Sequence, residues 1–454
     1  MRTIWTTFNF VSKYVPHVKH GNEGARGPRA CSTRERRVSK RQYSFYMSPF
    51  IRKATLHTLV SLGLLLFAPT QSFSAEIKSD ARQSQPAPTT SGSSIGSVLQ
   101  PFVDHHQIAG AVFLVATKDK ILTCEAVGFS DLNEKRAMAN DQLFEIASMS
   151  KPIATTALMM LVDEGKVHVD DPVEKYLPEF KGQMFIAEKD ADHILLKKPK
   201  QPLLVRHIMT HTGGILYSGP LEKPTLDRLP LQTVVAEHAM LPLQFEPGSK
   251  YLYSSAGIST VARIVEVVSG EPYEKFLQEK LFSPLGMSDT TFWPTETQLT
   301  RLAKCYMTNA ARTDLIETQL DDRFSFPLSD TAHRYPMPGV GLFSTAGDML
   351  KFCQMYLNGG VYNGKRYLSE ASIALMTKKE TADTVKNAYG FGWAISADGS
   401  YDHGGSFSTS MKINPKLGLI TIFLRQHAGP KVKGGEKAGP AFEAAAKKLV
   451  SDLR

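Results

Sequence analysis

The stretch SMSKPIATTALMMLVDEG, residues 148–165, decides how the rest of the chain is read. Its apolar residues recur at helical spacing, and Gly165 suits the cap that ends a helix. The first turn carries Ser148-Met149-Ser150-Lys151, a serine and a lysine three positions apart. On a helix those positions share a face, with Cβ atoms about 5–6 Å apart, so the amine can reach the hydroxyl. Serine is a weak nucleophile unless a neighbour takes its proton. A lysine, with an ordinary pKa of about 10.4, can do so only once burial or nearby positive charge lowers that value. The helix N-terminus adds backbone N–H groups and a positive dipole end, both useful to an oxyanion. The pattern is common by itself, and Ser148 as a simple N-cap would also explain it.

Upstream of this helix lie two strand-like runs, GAVFLVA (110–116) and residues 121–128, joined by the charged turn KDK. An amphipathic segment, SVLQPFVDHHQI (97–108), reads as helical, with His105 and His106 on a solvated face. Downstream, residues 166–300 carry mostly helix and loop signals. Strand signals return in residues 391–397, 410–415 and 418–426, and AFEAAAKKLVSDLR (441–454) closes the chain as an amphipathic helix. Strands from both ends, with helices between, predict an α+β fold: one sheet built from both chain ends, flanking helices and a mostly helical insert. No internal repeat is visible.

With 42% hydrophobic and 21% charged residues, the 454-residue chain can bury a substantial core. Its formal charge of +9 is uneven. Residues 1–74 hold twelve of the 53 Lys and Arg and two of the 44 acids, which leaves 41 basic against 42 acidic residues in the remainder. The basicity belongs to the leader, so no nucleic-acid partner is expected of the folded part. From Met47 that leader runs MSPFIRKATLHTLVSLGLLLFAPTQSFSAE, with Arg52 and Lys53, a short apolar run and small residues near Ala75. This is the pattern of a secretory signal, and the apolar run is shorter than the ~20 residues of a membrane span. Residues 1–75 are therefore read as leader, with the true start at Met47, 76–95 as a Ser/Pro/Thr-rich flexible linker, and 96–454 as the functional domain. The expected location is periplasmic or secreted, with no stable membrane span.

Cys124, Cys305 and Cys353 are too few and too scattered for a disulfide scaffold or zinc site, and read as small buried hydrophobes. His207 and His211 have the i, i+4 spacing of a zinc helix. Ile208 stands where the glutamate of H-E-x-x-H would be, so no metal is expected.

Two further segments carry reactive side chains: Tyr253-Ser254-Ser255 after a Pro-Gly turn, and His403-Gly404-Gly405-Ser406 before the strand at 410–415. Each alone has a bland explanation, as packing and as a glycine turn. In this order, the three elements resemble the active-site set of the penicillin-recognising serine hydrolases, specifically the branch of class C β-lactamases, DD-carboxypeptidases and family VIII esterases. FEIASMSKPIATTALMMLVDEGKVHVDDPVEKYLPEF, VRHIMTHTGGI, PLGMSDTTF, GLFSTAGDMLKF and YGFGW carry the resemblance, over roughly residues 96–450. His211-Thr212-Gly213 imitates the third motif but precedes the second and comes after a helical segment, so it is assigned to structure.

The resemblance implies a β-lactamase/transpeptidase-like fold with an antiparallel sheet. It implies Ser148 as acylated nucleophile, Lys151 as its deprotonating partner and Tyr253 as general base or proton shuttle. Ser255 would contact substrate or Lys151, and His403, Gly404, Gly405 and Ser406 would form the substrate-binding edge. The backbone N–H groups of Ser148 and Ser406 would make the oxyanion hole. His403 replaces a lysine that helps bind the antibiotic carboxylate, and Ser255 replaces a usual asparagine. Both departures point away from efficient β-lactam hydrolysis. The expected activity is an exported serine hydrolase, foremost a carboxylesterase, that needs no cofactor and acts on a small ester or amide. A DD-carboxypeptidase or penicillin-binding protein acting on a peptidoglycan-like peptide, or a class C-type β-lactamase, is the alternative. A catalytically silent peptidoglycan-binding or scaffold homologue is the rival from another class, and it would be free to lose Ser148, Lys151 and Tyr253. Specificity is expected in loops around 181–200 and 306–338.

Overall fold

A computed structural model describes residues 95–320 and 323–453. The leader, Met47 and all of the linker before Ile95 lie outside the described residues. At the centre is a seven-stranded antiparallel sheet. Its strands are β1 (Gly110–Ala116), β2 (Ile121–Asp131), β3 (Arg136–Ala137), β4 (Ala394–Ile395), β5 (Tyr401–Gly404), β6 (Ser410–Asn414) and β7 (Leu419–Leu424), in the order β4-β5-β6-β7-β1-β2-β3. The first and last strands of the chain meet in the middle, with Val112 opposite Leu424 and Phe113 opposite Phe423.

The run GAVFLVA is apolar throughout because β1 is covered on both faces. Phe113 and Val115 point to one core with Leu99 and Val103 of helix α1 (Ile95–Asp104) and with Phe442 and Ala446 of the C-terminal helix. Val112 and Leu114 point to the other, larger core, shared with helices α2 (Ser150–Asp163), α3 (Ser255–Ser269) and α4 (Ala346–Leu357). The C-terminal helix is α5 (Ala438–Asp452). The terminal helices thus cover one face of the sheet and the insert covers the other. α1 ends at Asp104, so His105 and His106 lie in the exposed turn after it.

One element departs from the sequence reading. Of residues 391–397 only Ala394 and Ile395 pair as strand. Gly392, at φ 86°, turns the chain so that Phe391 and Trp393 enter the core, and a Cβ there would stand 2.2 Å from Thr155 Oγ1. Among its helices the insert also holds two short hairpins, Phe185–Lys189 with Ile194–Lys197 and Cys305–Thr308 with Leu315–Thr318. Among the described residues, no helix is long and apolar enough to cross a membrane. Cys305 and Cys353 are buried, Cys124 is half-buried, and all three are free thiols.

Candidate active site

Ser148 sits in a short 3₁₀ turn, Ala147–Met149, that leads directly into α2. The residue before it, Ala147, is fully buried with φ 48°, a left-handed conformation that costs a non-glycine residue about 1–3 kcal/mol. The surroundings hold it there. Ser150 Oγ donates to the Ala147 carbonyl at 2.6 Å and accepts from Leu342 N–H. The loop after β5 presses on the same turn: Thr409 Oγ1 donates to the Ile146 carbonyl, and Gly405 N–H to the Thr409 carbonyl. A Cβ on Gly405 would lie 2.1 Å from Thr409 Oγ1 and 2.5 Å from the Ile146 carbonyl, so only glycine lets this loop approach the turn that carries Ser148. Gly404 is under no such constraint, its nearest neighbour being the Thr409 carbonyl at 3.6 Å.

One turn on, Lys151 is fully buried, and its Nζ has three oxygen neighbours: Ser148 Oγ at 3.1 Å, Ser255 Oγ at 3.2 Å and the Gly339 carbonyl at 2.8 Å. It also stands 4.6 Å from the centre of the Tyr253 ring. Burial, reinforced by the charge of Arg323, holds its pKa well below the ordinary lysine value. A neutral amine has two N–H donors and one lone pair. Donation to Gly339 and Ser255 leaves the lone pair for the Ser148 hydroxyl, which is the arrangement a proton acceptor needs.

Tyr253 is placed by the start of α3, where Ser254 Oγ caps the helix by accepting from Gly257 N–H at 2.8 Å. Its phenol faces Ser148, and burial pushes its pKa well above that of a free tyrosine, so it stays protonated at neutral pH. His403 is buried. Its Nδ1 bonds the Gly404 carbonyl at 3.0 Å, which fixes the proton on Nδ1, and Nε2 accepts from Tyr389 O–H at 3.0 Å. Burial, together with the charge of Lys151, lowers its pKa to about 3, so it carries no charge at neutral pH. Ser406 is exposed at the rim. Among the described residues, neither its backbone N–H nor that of Ser148 donates to a protein acceptor.

The structure therefore gathers Ser148, Lys151, Tyr253 and Ser255 around one point, with Gly405 and Ser406 against the nucleophile turn and His403 behind them, engaged with Tyr389. Three participants carry no signal that sequence reasoning singles out. Gly339 contributes only a carbonyl, which leaves no signature in a residue pattern. Tyr389 holds His403. Arg323, inside the loop expected to govern specificity, reaches Ser406 Oγ at 3.4 Å, lies over the Phe407 ring and pairs with Glu145. Glu145 is fully buried, and its desolvation outweighs Arg323, which leaves its pKa raised to about 7. His211, which the sequence singles out but assigns to structure, joins them: its ring packs 4.5 Å from that of Tyr253 and its Nδ1 accepts from Ser254 N–H.

A serine whose hydroxyl faces a buried lysine without a carboxylate partner, on this sheet and helix arrangement, has the geometry of a serine hydrolase. The profile of the β-lactamase family matches residues 95–446, and the chain belongs to that family. It is 29% identical over 363 residues to Protein Rv1367c of Mycobacterium tuberculosis (strain ATCC 25618 / H37Rv), which covers 72% of this chain and 88% of the relative. It is 28% identical over 334 residues to a provisional D-alanyl-D-alanine carboxypeptidase of Escherichia coli (strain K12), covering 66% and 73%. Among solved structures, EstCE1, a hydrolase with promiscuous acyltransferase activity, matches with a TM-score of 0.65 and 26% identity over 78% of this chain and 97% of that one. Simvastatin synthase (LovD) of Aspergillus terreus shares the fold, with a TM-score of 0.65, 21% identity, and coverage of 77% and 96%.

Proposed function

We propose that this serine hydrolase of the β-lactamase family is a carboxylesterase, exported by the signal-like segment that begins at Met47. The observation that carries the catalytic reading is Lys151, buried, with its pKa held well below the ordinary lysine value and its Nζ 3.1 Å from Ser148 Oγ. Ser148 Oγ attacks the ester carbonyl and its proton passes to Lys151 Nζ. The oxyanion forms against the N–H groups of Ser148 and Ser406, where fixed dipoles favour it. As the tetrahedral intermediate collapses, Tyr253 O–H gives its proton to the departing alkoxide and is reprotonated from Lys151. Water repeats the sequence on the acyl-enzyme and releases the acid.

The preference for esters over β-lactams or peptides ending in a carboxylate rests on charge. Such substrates need a cation at the third motif, and His403 is neutral there. Arg323 is the cation at this edge, and it is already paired with Glu145. The likeness to EstCE1, a hydrolase with promiscuous acyltransferase activity, supports the same choice. The test is intact-mass measurement and turnover of residues 76–454 with a fluorophosphonate, p-nitrophenyl acetate and benzylpenicillin in parallel. Ser148-dependent labelling with ester turnover supports the esterase. A lasting penicillin adduct with no ester turnover replaces it with the peptidase reading, and no Ser148-dependent label at all replaces it with the silent homologue.

A further inference from the structure

Strand β7 ends at Leu424, and the next residue, Arg425, is only 7% exposed. Its guanidinium lies over the Phe423 ring, 5.0 Å from the centre, and Nη1 donates to the Gly435 carbonyl at 3.3 Å. Among the described residues no carboxylate pairs with it, and its Nε finds no acceptor. Burial lowers its pKa to about 10, so the side chain is a cation at neutral pH. Arg334 is buried to a similar depth, but Asp227 stands 2.9 Å from its Nε. A buried charge without a counter-charge is strongly destabilising. The neighbours of Arg425 add charge of the same sign. Burial and then Arg425 lower the pKa of Lys431 to about 7, and burial and then Lys431 lower that of His427 to about 4. Lys304, close by, is already paired with Glu317 at 3.0 Å.

Arg425 lines a small cavity beside the start of β1, with Ile108, Gly110, Phe129, Met138 and Tyr306 in the wall. The cavity volume is ≈ 10 Å³, room for one occupant about the size of a water molecule. We infer that this cavity binds a single small monoatomic anion, of the halide class, against the Arg425 guanidinium. The inference is independent of the esterase reading, since none of Ser148, Lys151 and Tyr253 is in the wall. A water molecule would accept from Nε but leave the charge uncompensated. A phosphate, sulfate or carboxylate is too large for the space. A halide meets both limits. Gln426, next along the chain, accepts Tyr306 N–H with its carbonyl at 3.0 Å and Glu145 N–H with Oε1 at 3.1 Å. An anion that fixes Arg425 therefore steadies the end of the sheet beside the segment that leads to Ser148.

The experiment follows thermal unfolding of the protein in sodium gluconate, chloride and bromide at equal ionic strength, alongside diffraction from bromide-soaked crystals. Gluconate cannot enter the cavity and controls for general screening. The expected result is a saturable rise in Tm of about 2 °C or more in chloride or bromide over gluconate. Arg425→Met, which keeps an apolar stem and removes the charge, should show no such rise. Crystals of the unsubstituted protein should give an anomalous bromide peak against the Arg425 guanidinium, a readout that holds even where Arg425→Met does not fold. A Tm that is the same in all three salts overturns the inference, as does a rise of equal size in Arg425→Met. An ordered water at Arg425 in the bromide-soaked crystals, with bromide bound only elsewhere, overturns it as well.

Discussion

Two histidine–glycine segments of this chain look alike in sequence and end up around the same ring. His211 in His211-Thr212-Gly213 packs 4.5 Å from Tyr253, and His403 in His403-Gly404-Gly405 packs 6.3 Å from it. Both histidines are buried, both contact Tyr389, and burial depresses the pKa of both. The difference lies in the glycine two positions further along each segment. Gly405 sits where any side chain would strike the Ile146 carbonyl beside the nucleophile. Gly213 faces the end of the flexible Leu203 side chain, with a Cβ-to-Cδ1 distance of 2.8 Å. The histidine is thus a common feature of the cage, and the glycine that touches the nucleophile turn separates the two segments.

The largest effect fixes the scale for that difference. Ser148→Ala is expected to lower p-nitrophenyl ester hydrolysis by about 10³-fold or more, measured as kcat against an unchanged far-UV spectrum. On that scale Gly405→Ala is expected to cost about 10²-fold in kcat, because moving the loop displaces Ser406 N–H from the oxyanion by up to an ångström. Gly404→Ala, with nothing closer than 3.6 Å, should stay within about threefold. Gly213→Ala should lose about 1–3 kcal/mol of stability in urea titration while keeping its kcat. A Gly213→Ala enzyme as slow as Gly405→Ala would erase the distinction between the segments.

The same contrast explains how much of the site is legible in the sequence. Ser148 and Lys151 are legible because an i, i+3 pair on a helix is local geometry. Tyr253 and Ser255 are legible because a Pro-Gly turn and the Ser254 cap fix the start of α3. Gly339 is not, since a carbonyl contributed from 188 residues away has no residue type to search for. β5 escapes a sequence reading because its four residues, Tyr-Asp-His-Gly, all pair with β6 and two of them also with β4, yet carry little apolar character. In FGWAISA the apolar content reads as strand, whereas Gly392 diverts most of it into the core. Chain order correctly separates His211 from the third motif. It does not show that the fold returns His211 to the Tyr253 ring.

In acid the two histidines should behave alike. His403 has a folded pKa of about 3 against an ordinary 6.5, so between those values the unfolded chain binds a proton that the folded one does not. Stability then falls as pH drops through that window, by about 1.4 kcal/mol per unit for each such group. His211 is shifted in the same direction by the same cause. His403→Gln and His211→Gln should each remove about one proton from the uptake on unfolding, read from urea midpoints between pH 4 and 6.5. In the proposed mechanism the acid limb of activity follows Lys151, which loses its lone pair on protonation, so both variants are expected to share the parent's limb. A limb that moves only in His403→Gln would give that ring a part in the proton transfer.

The smallest effect is expected at Tyr389→Phe. His211 Nε2 already lacks a hydrogen-bond partner in the folded protein, whereas His403 Nε2 accepts from Tyr389 at 3.0 Å. Removing the hydroxyl leaves each ring with one unpaired nitrogen, an Nε2–H on His211 and a bare Nε2 acceptor on His403, the latter at a cost of about 1–3 kcal/mol. The bond from Nδ1 to the Gly404 carbonyl still fixes the ring, and a neutral imidazole transmits little charge to Lys151. Thermal unfolding should therefore move while kcat changes by less than about threefold. A drop in kcat as large as that of Gly405→Ala would instead mean that the orientation of His403, and not only the approach of Gly405, sets the oxyanion geometry.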